Sequence, residues 1–289
     1  MDWIICIPSH MRSQSIKTNT LKTLDDCNIP HERIKVFVAK DEVPKYRASL
    51  PSDIEVIESL IGCIENRAKI REYYPEGKHI LYMDDDIKGI FSVCDMTDEH
   101  STCHIFKKEN LGKSFYKKQI PIPDLTKFIT QGFEITIKEN AHLWGIYPIG
   151  NGFFASHKYV TDLRYICGGF YGEINVKEFA LRGDQYSEDF ERTCEWFKRD
   201  GKIIRFESVL LKTGYYKGEG DSGSSGGLVA TRNKDNTRLA QEKLQAMYPE
   251  YLQIVPPSKR NIYYTLKCKR VLRGRIRMTK TPSATSLVE

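Results

Sequence analysis

The chain has 289 residues, 40% of them apolar and 28% charged, with a formal net charge of +6. That is enough length for one large domain or two modest ones with a substantial core, and the composition excludes a low-complexity or disordered chain. No apolar run approaches the roughly 18 residues a membrane helix needs, and the opening MDWIICIPSHMR, with an acid at Asp2 and a short apolar run, excludes a secretory leader.

Trp3 to Pro8 is a short apolar run stopped by Pro-Ser, a first strand. Ile16, Thr20, Leu21 and Leu24 stand at helical spacing within residues 13–25. Residues 33–39, RIKVFVA, and residues 54–57 read as second and third strands, and residues 62–74 as a helix closed by Pro75 and Gly77. His79 to Met83 is then a fourth strand. Strand, helix, two strands, helix, strand within 83 residues predicts a mostly parallel α/β sheet flanked by helices. Further along, residues 124–140 form an amphipathic helix, and 144–150 and 165–174 read as strands broken by glycine. Residues 187–201 form a helix that Ser187 can cap and Gly201 ends. Residues 202–213 make another strand, and a last helix spans about 231–247. The Gly/Ser stretch 218–227 is a loop. The expected organisation is a domain over residues 1–250, with a nucleotide half to about 110 and an acceptor half from 111, followed by a basic arm over 251–289.

Eight cysteines are scattered without any CxxC pair, which fits reduced thiols and a cytoplasmic protein. Cys94, His100, Cys103 and His104 are zinc-capable types, but their spacing matches no common finger and also suits a polar surface loop. Charge is uneven. Residues 259–280 hold nine Lys or Arg and no acid, while residues 1–250 hold 35 basic and 37 acidic side chains. A basic arm on a near-neutral body suits a polyanion such as DNA or an acidic membrane surface, and also a solubilising tail.

The stretch HILYMDDDIKGI, residues 79–90, raises the sharpest chemical question. An apolar strand runs straight into Asp84, Asp85 and Asp86. In α/β sheets ligands bind beyond the carboxyl ends of the strands, and the IPSHMR and YMDDD segments both lie at such ends. Alternation puts Asp84 and Asp86 on one side and Asp85 on the other. Two carboxylates facing the same way repel unless a cation intervenes, and oxygen ligands suit Mg²⁺ or Mn²⁺ together with substrate phosphates. A solvated acidic turn is the plainer alternative. Arg12 and Arg67 stand at the same sheet edge, where a diphosphate would need positive partners.

The ordered set IPSHMR, ENRA, YMDDD, CGGF and SEDFE resembles GT-A-type nucleotide-sugar glycosyltransferases over roughly residues 3–215. More narrowly, it resembles the TET/JBP-associated glycosyltransferases of phages and large DNA viruses, which attach sugars to hydroxymethylated pyrimidines in DNA. The resemblance implies a GT-A-like (Rossmann-like) fold and a UDP-linked or similar sugar donor with Mn²⁺ or Mg²⁺. It implies Pro8, Ser9, Arg12 and Arg67 at the donor, and Asp84 and Asp85 against its ribose, sugar or bound water. Asp86, with Asp84, would hold the metal. Asp189 would be the general base of an inverting reaction, with Glu188 on sugar or acceptor hydroxyls. Gly168, Gly169, Tyr215, Lys259 and Arg260 would meet the acceptor. Many GT-A enzymes add a late histidine to the metal, and this chain has none after His157; Asp221 or water is the substitute. Two other readings stay open: a GT-A enzyme acting on a glycan, lipid or protein, and a nucleic-acid-binding protein without catalysis. SEDFE is also what a helix dipole favours at any N-terminus.

Overall fold

A computed structural model of the full chain describes residues 1–93, 119–150, 152, 155, 156, 158–213, 234–256 and 265–269. The Cys94–His104 cluster, the 218–227 loop and most of the basic arm lie outside the described residues.

The first half follows the predicted alternation. β1 (Trp3–Pro8) leads through a π-helical turn (Lys17–Leu21) into α1 (Lys22–Asp26), then β2 (Ile34–Ala39), α2 (Val43–Ser49), β3 (Glu55–Ser59), α3 (Cys63–Tyr73), β4 (His79–Met83) and β5 (Ile87–Ser92). After the undescribed segment come β6 (Ile120–Pro121), α4 (Leu125–Lys138), β7 (Leu143–Tyr147), β8 (Tyr159–Val160), β9 (Phe170–Ile174), α5 (Glu188–Asp200), β10 (Ile204–Thr213), α6 (Lys234–Met247), β11 (Leu252–Val255) and β12 (Thr265–Cys268). Two short elements differ from expectation. α2 was not expected; Pro44 sits in its first turn, where its missing N–H costs nothing. The aspartates and Gly89 obscure β5, whose pairing comes from β10, far away in sequence.

One sheet runs in the order β3-β2-β1-β4-β9-β7-β10-β5-β6, with β8 on β10. β3, β2, β1, β4, β7, β10 and β6 point one way; β9, β5 and β8 run against them. This is the mixed, mostly parallel α/β sheet expected. Strands from both expected halves share it, since β9 pairs with β4 and β5 with β10.

Strand alternation sorts the core onto two faces. Trp3, Ile5 and Ile7 of β1 join Leu81 and Met83 of β4 under α1 and α4. Ile4, Cys6, Ile80 and Tyr82 face the other way, with Ile70 of α3 and Trp196 and Phe197 of α5. α4 starts at Asp124, whose carboxylate accepts from the Lys127 N–H at 2.8 Å. α5 ends at Gly201, whose φ of +70° is the left-handed stop that glycine allows. At the other end Ser187 occupies the cap position, but its side chain makes no capping hydrogen bond. β11 and β12 form a separate hairpin packed through Leu252 and Leu266 on Leu244 of α6, Tyr248 just after it and Cys194 of α5. The segment read as a basic arm therefore begins with a hairpin seated on the body.

At the centre of the first face stands Trp144, ringed edge-on by Phe128, Phe133, Phe170 and Phe206. Its strand partner is Gly172, where an added Cβ would lie 1.9 Å from the indole Nε1. Gly172→Ala should therefore destabilise the chain by about 3 kcal/mol or more, the upper end for overpacking a rigid core. Urea unfolding followed by tryptophan fluorescence checks this.

Candidate active site

The carboxyl ends of β1 and β4, the start of β9 and the start of α5 meet at one edge of the sheet. The turn after β4 is fixed first. Thr20, in the π-helical turn, donates to the Asp84 carbonyl at 2.7 Å and accepts from the Ile87 N–H at 2.9 Å. Thr23 donates to the Ile87 carbonyl at 3.0 Å. An irregular helical turn thus holds both ends of the aspartate run.

The three aspartates divide as alternation predicts. Asp85 turns inward and is 5% exposed. Its Oδ2 accepts from Ser9 Oγ at 2.5 Å and its Oδ1 from Arg12 Nη1 at 2.8 Å. The Tyr46 hydroxyl completes the chain: it takes the Arg12 N–H at 3.0 Å and meets Ser9 Oγ at 2.7 Å. Glu42 holds the next residues, accepting from the Met11 N–H and bonding His10 Nδ1, both at 2.7 Å. Asp85, Ser9 and Arg12, expected to contact the donor, are thus joined to one another, because a carboxylate at this depth needs its charge answered on the spot. Asp85 fixes the loop after β1. Pro8, partly buried, ends β1 directly before it.

Asp84 and Asp86 face outward, with side chains 41% and 28% exposed. Asp84 Oδ1 accepts from Arg67 Nη2 at 3.0 Å, and Oδ2 has no hydrogen-bond partner among the described residues. Burial of the carboxyl, then Asp86, Asp85 and Glu188, push Asp84 up to about 7 against the pull of Arg67. Asp86 is also raised, by burial and Asp85, with Arg12 at 3.8 Å opposing.

Arg67 is the hub. It is 2% exposed. Nη1 donates to Glu188 Oε1 at 2.6 Å and to the Cys63 sulfur, and Nη2 to Asp84 and, at 3.2 Å, to the Gly168 carbonyl. Expected at a diphosphate, this guanidinium instead spends both terminal nitrogens on protein acceptors and joins Asp84 to Glu188. Glu188, expected to hold hydroxyls, is likewise engaged: its second oxygen accepts from Arg192 Nη1 at 2.7 Å. Burial opposes its ionisation, but Arg192 and Arg67 outweigh that and hold the carboxyl below its usual range. Arg192 lies 3.8 Å over the Tyr171 ring, and Tyr171 stacks on Tyr82. Arg71, one helical turn after Arg67, grips Glu173 of β9 with two bonds at 2.6 and 3.0 Å.

Asp189 sits beside this hub. Its Oδ1 accepts from the Phe190 N–H at 3.0 Å and its Oδ2 from the Tyr165 hydroxyl. Burial and then Glu188 raise its pKa, with Arg192 and Tyr165 opposing. Gly168 and Gly169 form the seam between the acidic groups. A Cβ on Gly168 would lie 3.2 Å from Glu188 Oε1 and 3.8 Å from the Asp189 Cβ. One on Gly169 would lie 3.5 Å from Asp84 Oδ2 and 2.8 Å from Leu211. The Gly169 carbonyl takes the Asp84 N–H at 3.1 Å, extending the β4–β9 ladder.

The structure thus gathers Asp84, Asp86, Gly168, Gly169, Glu188 and Asp189 at one edge. Tyr215, Lys259, Arg260 and the substitute ligand Asp221 lie outside the described residues. The sequence reading passed over Thr20, Tyr46, Tyr165 and Arg192. Of these, Arg192 stood four residues after Glu188 on the same helix, the spacing of an ion pair.

No family model matches the chain, and no curated protein does. Several solved structures are similar. One is residues 1–349 of S. aureus TarS, 12% identical, covering 73% of this chain and 60% of its own length, with a TM-score of 0.39. A second is glucosyl-3-phosphoglycerate synthase from Mycobacterium tuberculosis, solved with Mn²⁺, uridine diphosphate and glucosyl-3-phosphoglycerate. It is 10% identical, covers 94% of this chain and 88% of its own, and has a TM-score of 0.46. A third is 4-diphosphocytidyl-2C-methyl-D-erythritol synthase from Anaerococcus prevotii, 10% identical, with coverages of 84% and 98% and a TM-score of 0.36. The chain spans less than two thirds of the TarS fragment. Likenesses at this level say nothing of what the chain acts on.

Arg67→Met should cost about 3–5 kcal/mol, the penalty for stranding a buried charge, read by urea unfolding. Glu188 carries a pH signature of the same network. Its folded pKa lies below the ordinary 4.5, so its contribution is full above that value and lost as pH falls through the folded one. Glu188→Gln should flatten the acid limb of stability against pH.

Proposed function

We propose that this chain is a divalent-metal-dependent glycosyltransferase, moving a sugar from a nucleoside-diphosphate donor to a hydroxyl. The observation that carries the reading is the link Arg67 makes between Asp84, one of two outward aspartates at a strand end, and Glu188, the neighbour of Asp189 at a helix start. One group is placed for a donor's diphosphate and the other for an acceptor's proton.

Asp84 and Asp86 suit Mn²⁺ or Mg²⁺. Each keeps carboxylate surface open while Asp85 is used up internally. No group of three His, Cys, Asp or Glu forms a cage among the described residues. A hard cation held by Asp84 and Asp86 would take water and substrate phosphates at its other positions. When bound, the cation would stabilise charge on the leaving diphosphate.

The chain's own residues do the rest. Thr20, Thr23 and the Ser9–Asp85–Arg12 link hold the aspartate turn and the loop after β1 rigid, so donor-facing groups keep their geometry. Gly168 and Gly169 keep the space between Asp84 and Asp189 clear of side chains. Asp189, made a stronger base by burial and Glu188, takes the acceptor hydroxyl's proton as its oxygen attacks the anomeric carbon. Tyr165 and the Phe190 N–H orient that carboxylate.

The finer reading is that the hydroxyl belongs to a hydroxymethylated pyrimidine in DNA. It rests on the resemblance and on the nine cations of residues 259–280. Such a base must leave the stack to reach Asp189. No described helix is long and apolar enough to cross a membrane.

The test is incubation with Mn²⁺, a panel of nucleotide sugars, and DNA with or without hydroxymethylated pyrimidines, followed by mass spectrometry of digested nucleosides. Asp86→Ala should abolish transfer and leave the unfolding midpoint near wild type; retained transfer overturns the reading. Asp189→Asn should lower the rate about 10²–10⁴-fold, the range for a general base. The wild-type rate should fall on acidification through a pKa above the ordinary 3.8 of an aspartate, since protonated Asp189 accepts nothing.

A further inference from the structure

Next to Asp189, lined by its partners Tyr165 and Phe190, lies a cavity of about 570 Å³. It opens between the residues preceding β9, the start of α5, β10 and the β12 edge of the C-terminal hairpin. Its wall carries Arg164, Arg205, Lys267 and Lys269. Asp162 pairs with Arg164 at 3.1 Å and Glu207 with Arg205 at 2.8 Å, so with Asp189 behind Tyr165 four cations stand against three carboxylates. Lys269 donates to the Pro249 carbonyl and keeps its charge. Lys267 is exposed and makes no ion pair among the described residues. The aromatic part of the wall is Tyr165 and Phe190, half-buried and stacked with centroids 4.3 Å apart.

The cavity is wired to the candidate base. The Tyr165 hydroxyl donates to Asp189 Oδ2, the Tyr165 carbonyl accepts from Arg205 Nη1 at 3.2 Å, and Phe190 follows Asp189 directly. Surplus positive charge beside a stacked aromatic pair is the chemistry that holds single-stranded nucleic acid: cations on the phosphates, rings under a base. The volume suits one nucleotide.

We infer that this cavity holds a nucleotide of a single-stranded acceptor segment. Its phosphate faces Lys267 and Arg164, its base lies against the Tyr165–Phe190 pair, and the neighbouring nucleotide is presented to Asp189. The last element rests on the glycosyltransferase reading; the binding does not. Tyr165 acts here as a positioning residue, joining the bound segment to the carboxylate.

The test uses the full chain and a fluorescein-labelled oligothymidine of about 12 nucleotides, with anisotropy titrations between roughly 20 and 200 mM KCl. Lys267→Gln should raise Kd about three- to tenfold and make the slope of log K against log salt shallower by about 0.7, one charge on a single strand. Lys267→Gln with Arg164→Gln should double the slope change. Lys127→Gln, on the outer side of α4, should change neither. Tyr165→Phe should keep Kd while lowering the rate of sugar transfer and shifting its acid limb. Unchanged Kd and slope in the double variant overturn the site, since binding would then belong to other basic residues. Tighter binding to anionic phospholipid vesicles than to the oligomer, with the same dependence on Lys267, overturns the choice of ligand. Asp86→Ala should bind the oligomer as wild type does, so a failed glycosyltransferase reading leaves this result standing, and a failed cavity leaves Asp86-dependent transfer standing.

Discussion

A guanidinium buried between two carboxylates organises this molecule. Arg67 cannot be placed where it is without Glu188 and Asp84, and Glu188 cannot be placed without Arg67 and Arg192. Removing an ion from water costs several kcal/mol, so each charge is tolerable only while its partners hold still. The partners come from α3, the turn after β4 and, more than a hundred residues later in sequence, α5. Their charges therefore couple the two sides of the site more tightly than apolar packing would. Arg71 repeats the device one turn later against Glu173, which also accepts from the Trp196 indole N–H. Between the two arginines, Tyr171 and Tyr82 stack and supply a π face to Arg192.

The sheet order explains how these partners meet. β9 runs antiparallel between β4 and β7, so its first residues stand beside the last residues of β4. Gly168 and Gly169 arrive next to Asp84 for that reason, and the chain then returns to open α5 with Glu188 and Asp189. Antiparallel insertion is what brings a second acidic element to an edge otherwise built from parallel strands.

The first half of the fold was legible because its signals are local. Apolar runs of strand length and a proline and a glycine closing α3 each act within a few residues. β5 was hidden because its pairing with β10 joins positions about 120 apart in sequence, and its own pattern is broken by Lys88 and Gly89. The β11–β12 hairpin was hidden by its charge, since Lys267 and Lys269 read as part of a basic tail while Leu266, just before them, packs against residues of α6 and α5. In the site, residue types pointed to the right places more surely than to roles. Asp85, Ser9 and Arg12 were recognisable as a group at one sheet edge; that they would bind each other depends on depth, which spacing does not encode. Arg67 was chosen for its charge, and burial redirected that charge from solvent to Glu188.

Three consecutive aspartates now separate into one that builds and two that face outward. Asp85 is consumed in holding the loop after β1, which leaves Asp84 and Asp86 on a rigid base. The same logic operates across the glycine seam, where Glu188 is consumed by arginines and Asp189 beside it stays raised and available as a base. In each acidic run the buried carboxylate answers a structural charge, and its neighbour, turned the other way by backbone geometry, is left for chemistry. Asp189 then borders two spaces: the acidic edge with Asp84 and Asp86, and the basic, aromatic cavity lined by Tyr165. A donor that brings phosphates to the acidic edge needs a cation there. An acceptor that brings phosphates to the basic cavity needs none. The opposite charge of the two spaces gives each substrate its own side of one proton acceptor.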